Sequence, residues 1–127
     1  MTEPAQPEAL PIPRDATTSK PRIVVLSANL MDRGRFRHLG SVVFVNTEAD
    51  LSAAAAESSL VLADLSVVGA LQAVSKLVGS RGESNPLKVI AYVGHVEKEL
   101  INAASEMPGV EVYPRSVFFR RLANTSL

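Results

Sequence analysis

Leu60-Val61-Leu62-Ala63-Asp64-Leu65-Ser66 is the stretch whose reading decides the fold. Its first four residues are apolar without alternation, which suits a strand covered on both faces, as in a parallel sheet. Two runs of the same texture precede it, Ile23-Val24-Val25-Leu26 and Val42-Val43-Phe44-Val45. A third, Val89-Ile90-Ala91-Tyr92-Val93, follows. The run Val110-Glu111-Val112-Tyr113 carries a charge and suits a sheet edge. Between the runs the spacing predicts helices at Leu30–Leu39, at Glu48–Ser58 behind Asn46 or Thr47 as cap, and at Ala70–Val78. Two more are expected, at Val96–Met107 and, behind Pro114, at Arg115–Leu122. Five βα units in succession predict a doubly wound α/β domain with right-handed crossovers.

The rest of the composition is mostly exclusion. The chain has 127 residues, one domain's worth. It has 13 Lys and Arg against 13 Asp and Glu, so no net positive charge marks it for nucleic acid. Cysteine is absent, which removes disulfides, thiolate metal sites and cysteine nucleophiles. The only histidines are His38 and His95, too few for a histidine-rich metal site. No apolar run approaches the length of a membrane span, and MTEPAQPEAL has neither basic n-region nor apolar h-region. A cytoplasmic protein without cofactor or metal is the expectation. Five of the eight prolines fall in the first 21 residues, so residues 1–20 read as a flexible tail and 21–127 as the folded domain.

With the runs in place, the chain resembles the CheY-like receiver domain of two-component response regulators. Leu60–Ser66 is similar to the third strand with its phospho-accepting aspartate, Asp64, and Tyr113-Pro114 resembles the Lys-Pro pair closing the fifth. Val89–Val93 falls where the fourth strand belongs. The resemblance implies a flavodoxin-like three-layer sandwich, with a five-stranded parallel sheet in the order 2-1-3-4-5 and helices on both faces. It also implies a chemical set that this chain departs from. Ser27-Ala28 stands where the family places the acid pair that holds a divalent cation. Val93 replaces the Ser or Thr, and Tyr113 the lysine. The chain therefore resembles a degenerate receiver, a pseudo-receiver, with Asp64 alone retained.

Ligands of open α/β sheets bind outside the carboxyl ends of the strands. Ser27, Asn29, Asp64, Ser66, His95, Arg115 and Ser116 are expected to gather there, with His95 as acid/base and Arg115 as an anion clamp. The plain alternative is that turn-forming residues collect where loops begin. No GxGxxG, P-loop, GxSxG or HExxH supports an enzyme. Arg33, Arg35, Arg37 and His38 in the first helix, and Arg115, Arg120 and Arg121 in the last, would share one face and form a basic patch. A solvated helix surface is the plainer reading, since arginine on exposed helix positions is ordinary.

The leading functional expectation is a non-catalytic signalling module working by protein contacts, with a protein partner or a second copy on the last βα units. Tyr113, Val117 and Phe119 are its candidate anchors. Phe118 and Leu122, at i and i+4, are assigned to the core, and Phe119, about 100° away, to the partner. The alternative is that the short helix tucks both rings under the sheet. Phosphorylation of Asp64 at an atypical site and small-molecule sensing at the carboxyl edge are the competing functions.

Overall fold

The computed structural model describes residues 9–11, 23–40, 42–80, 87–94 and 98–125. The strands are β1 (Ile23–Leu26), β2 (Val42–Val45), β3 (Leu60–Asp64), β4 (Lys88–Val93) and β5 (Val110–Pro114). All four pairings are parallel, in the order β2-β1-β3-β4-β5. This is the flavodoxin-like arrangement expected. The order reverses between β1 and β3, which places their carboxyl ends, Ser27 and Asp64, at the topological switch point.

The helices are α1 (Glu48–Ala54), α2 (Ala70–Ser80), α3 (Lys98–Ser105) and α4 (Arg115–Ala123). Leu30–Leu39 is a 3-10 helix rather than an α-helix. Its inward residues explain the winding. Arg33, Phe36 and Leu39 recur every third position, half-buried or buried, and a three-residue turn puts them on one line. Gly34 in its middle also weakens the α alternative. Thr47, not Asn46, caps α1, its hydroxyl accepting from the Asp50 amide at 3.1 Å. The stretch expected as one helix to Ser58 leaves α geometry at Ala54 and finishes as a 3-10 turn, Ala55–Glu57.

Period-two alternation along the buried strands sends side chains to two different cores. Val24, Leu26, Val61, Ala63, Val89, Ala91 and Val93 meet α1, α2 and α3 through Leu51, Ala73, Val74, Leu77 and Ala104. Ile23, Val25, Leu60, Leu62, Ile90 and Tyr92 meet the 3-10 helix and α4 through Phe36, Leu39, Phe118, Phe119 and Leu122. All six aromatic residues belong to this second core, Phe44 and Tyr113 packing against its rim.

Two expectations are corrected here. Phe119 is not partner-facing: it is 7% exposed and sits edge-on to Phe36, Tyr92 and Phe118, with centroids 5.8, 5.1 and 5.1 Å away. Both rings of the Phe118-Phe119 pair are tucked under the sheet. The reason is that α4 is wedged between β4, β5 and the 3-10 helix, so more than one of its faces is covered. The N-terminal segment read as a flexible tail also includes a packed residue. Leu10 is 4% exposed in the aromatic core, and its amide donates to the Thr125 hydroxyl at 2.9 Å. The rest of that segment, residues 1–8 and 12–20, lies outside the described residues.

Glycine is required at Gly69, whose φ is +79°, with the Glu48 carboxylate 2.7 Å from where a Cβ would stand. No helix among the described residues is long and apolar enough to cross a membrane.

Candidate functional site

The carboxyl edge is built by three strand ends. After β1, the Ser27 amide donates to the Val45 carbonyl at 3.0 Å, and its hydroxyl accepts from the Asn29 amide at 3.1 Å. Asn29 in turn caps the 3-10 helix, its Oδ1 accepting from the Met31 amide at 2.9 Å. This turn chemistry carries the chain over the sheet edge and delivers Asp32, which is 3% exposed.

β3 ends on Asp64, 6% exposed. Its Oδ1 accepts from the Ser66 amide at 2.9 Å and from the Ser66 hydroxyl at 2.6 Å, an Asx-type turn that closes the strand. In register with Asp64 lies Tyr92 of β4, fully buried. Its hydroxyl is enclosed beside the Ser27 side chain, with no hydrogen bond of ordinary geometry. Burial, and then the Asp64 carboxylate, push the Tyr92 phenol far up, against the smaller opposing pull of Ser27 and Arg115. The group stays a protonated donor.

Arg115 opens α4. Its Nη1 and Nη2 donate to the two oxygens of Asp32, each at 2.8 Å, in a bidentate pair between residues 83 positions apart. Hydrogen bonding to Asp32 holds the Arg115 guanidinium above its usual range, opposed by partial burial. Arg35 approaches the same carboxylate at 3.8 Å. Asn29, Asp64, Ser66, Tyr92, Gly94 and Arg115 line a cleft of about 580 Å³. A second cleft of about 560 Å³ shares Gly94 and Arg115 and adds Arg35, Ser116, Phe119 and Arg120.

Of the residues expected at this edge, Asn29, Asp64, Ser66 and Arg115 therefore surround one cleft, Ser27 braces its wall, and Ser116 lines the neighbouring one. His95 lies outside the described residues. Tyr113, in the place of the family's lysine, does not line the Asp64 cleft; its hydroxyl donates to Glu111 at 3.1 Å, and Arg121 lies over its ring at 5.0 Å. Glu111 is ion-paired to Lys88, and that hydrogen bond holds its carboxyl below the ordinary value. Val117 is half-buried. Among the described residues the large apolar side chains left exposed are instead Leu30 (65%) and Met31 (87%), which open the 3-10 helix, and Val68 (90%), on the loop after β3.

Sequence reasoning missed the Asp32–Arg115 pair and the place of Tyr92. The only signal was that Asp32 is the one acid amid four basic residues of the first helix, with no indication of which arginine takes it. Chemically, the edge offers one carboxylate, Asp64, engaged on one oxygen by Ser66, and a second, Asp32, already neutralised. Among the described residues no group of three or more Asp, Glu and His converges as a metal site would require.

No family model matches the chain, and no curated protein matches it in sequence. The fold does match solved structures. A response regulator from Hahella chejuensis is similar with a TM-score of 0.66 at 16% identity, over 80% of this chain and 88% of that one. The chain thus has a CheY-like receiver fold, a likeness of architecture.

Proposed function

We propose that the protein is a pseudo-receiver: a receiver-fold signalling module that acts through protein contacts, without catalysis and without phosphorylation. The observation that carries this reading is the bidentate Asp32–Arg115 pair beside Asp64. A phosphoryl acceptor needs a cation to offset the charge developing on the transferred group. Here the edge's second carboxylate is bound at both oxygens by Arg115 and is not open to a cation. Exposed Leu30, Met31 and Val68 at the same edge supply apolar contact area for a partner, the role first assigned to Phe119.

A second reading, phosphorylation of Asp64, has its own support. Asp64 ends β3 at the switch point, opens onto a cleft and lies within electrostatic reach of Arg115. The solved structure of similar fold is that of a response regulator. Intact mass after incubation with acetyl phosphate and Mg²⁺ separates the two readings. The pseudo-receiver reading expects no added mass and no beryllofluoride-induced NMR shifts at residues 27–29, 64 and 92. A phosphoryl adduct that disappears in Asp64→Asn would establish the second reading instead.

A further inference from the structure

We propose that the arginine-lined cleft between the 3-10 helix and α4 is a non-covalent binding site for a phosphate group, held by Arg35, Arg115, Ser116 and Arg120. Charge is the first argument. All six arginines among the described residues (33, 35, 37, 115, 120 and 121) lie on these two elements. The carboxylate these elements contribute is Asp32, buried and doubly bonded to Arg115. Arg35 contacts it only at 3.8 Å, and Arg120 has no ion pair among the described residues. Three guanidinium groups thus line a cleft of about 560 Å³ against one carboxylate. Asp64 stands in the adjoining cleft with one oxygen bonded to Ser66.

Preorganisation is the second argument. The guanidinium carbons of Arg35 and Arg115 each lie 4.6 Å from the centroid of the Phe119 ring. Stacking on a buried ring fixes the planes of two groups that repel each other, so binding an anion between them costs little side-chain ordering. This gives Phe119 a role from below the surface.

The unmet donors at the start of α4 are the third. α4 has nine residues, and its N-cap, Pro114, makes no side-chain cap hydrogen bond. Its first-turn amides and the exposed Ser116 hydroxyl border the cleft, where a helix N-terminus favours an anion. The aromatic rings of this face are covered, so stacked bases have no platform here, and a tetrahedral oxyanion suits the site better than a nucleic-acid strand.

The site uses no covalent step and no metal, so it stands independently of whether Asp64 is ever phosphorylated. The test is an NMR titration of the full chain with inorganic phosphate and with O-phosphoserine, at constant ionic strength set by chloride. The expectation is saturable shifts of the Gly94, Ser116 and Val117 amides, with a Kd on the order of 1 mM. At two exposed positions binding weakens about tenfold, in Arg120→Gln because one charge-assisted contact is lost and in Ser116→Asp because the added carboxylate repels the anion. Asp64→Asn leaves it unchanged or tighter. Equal affinity for the two probes makes the phosphate group itself the ligand; tighter binding of phosphoserine adds contacts to the group that carries it. Shifts that do not saturate, that spread equally over Arg37 and His38, or that ignore both substitutions would overturn the proposal.

Discussion

The two faces of the sheet are made of different materials. One is small and aliphatic, alanines, valines and leucines under α1, α2 and α3. The other holds every aromatic ring of the chain under the 3-10 helix and α4. The charges divide the same way. Among the described residues, the aliphatic side carries Glu48, Asp50, Glu99 and Glu106 against Lys76 and Lys98, while the aromatic side carries all six arginines. The pairing of arginine with aromatic is no coincidence of layout. Arg33 lies over Phe44, Arg35 and Arg115 over Phe119, and Arg121 over Tyr113, at 4.6 to 5.1 Å. A planar cation loses less by covering a ring than an ammonium does, so this face keeps its charge while sealing its core. The aliphatic side packs by close approach of small residues; the aromatic side packs by a few large ones, and should be the more fragile to truncation.

That asymmetry can be broken most severely at the rings. Phe118→Ala and Phe119→Ala should each cost about 3–5 kcal/mol in urea melts, since both are buried. A cost for Phe119→Ala below about 1 kcal/mol would return that ring to the surface. On the other face Ala73→Leu should cost about 1–3 kcal/mol by overpacking, the opposite failure.

Next is the charge lock. Asp32→Ala leaves Arg115 without its bidentate partner and should cost about 2 kcal/mol, less than a fully buried pair would because the arginine side chain is 36% exposed. A loss within 0.5 kcal/mol, read from the same melts, would reduce the pair to a surface contact. Leu10→Ala, at about 2 kcal/mol, asks whether the N-terminal segment belongs to the aromatic core. If its melting curve overlays the wild type, Leu10 contributes no packing.

Smaller effects depend on pH. The Tyr92 phenol is raised in the folded state, so its contribution is fully present below the ordinary value of 10.0 and is lost as pH climbs above it. Tyr92→Phe should flatten that alkaline decline and, by removing a buried hydroxyl that lacks a well-formed hydrogen bond, leave stability at pH 7 nearly unchanged. Glu111 is depressed, so its contribution is present above the ordinary 4.5 and lost as pH falls below it. Glu111→Gln should shave only the acid limb of the stability profile, weakly, because the carboxylate side chain is 41% exposed.

Much of this architecture was legible in the chain. Four non-alternating runs and the charged run at Val110–Tyr113 marked the five strands to within a residue at their ends; in β1, β3 and β4 burial on both faces leaves almost no polar position to confuse the pattern. α2 and α4 were equally readable from apolar spacing. The 3-10 winding of Leu30–Leu39 was not, since ten mostly polar residues satisfy either period, and only the line of Arg33, Phe36 and Leu39 against the sheet selects three.

What the sequence determined by itself is therefore local: strands from apolar runs, and turns from Ser27, Asn29 and Asp64. Which face received the rings, that Phe119 is covered, that Leu10 is enclosed, and that Asp32 takes Arg115 were decided only by tertiary structure. The physical reason is range. Periodicity reports how a segment meets an unspecified neighbour, whereas a wedged helix or an ion pair across 83 positions depends on which neighbours the sheet order brings together.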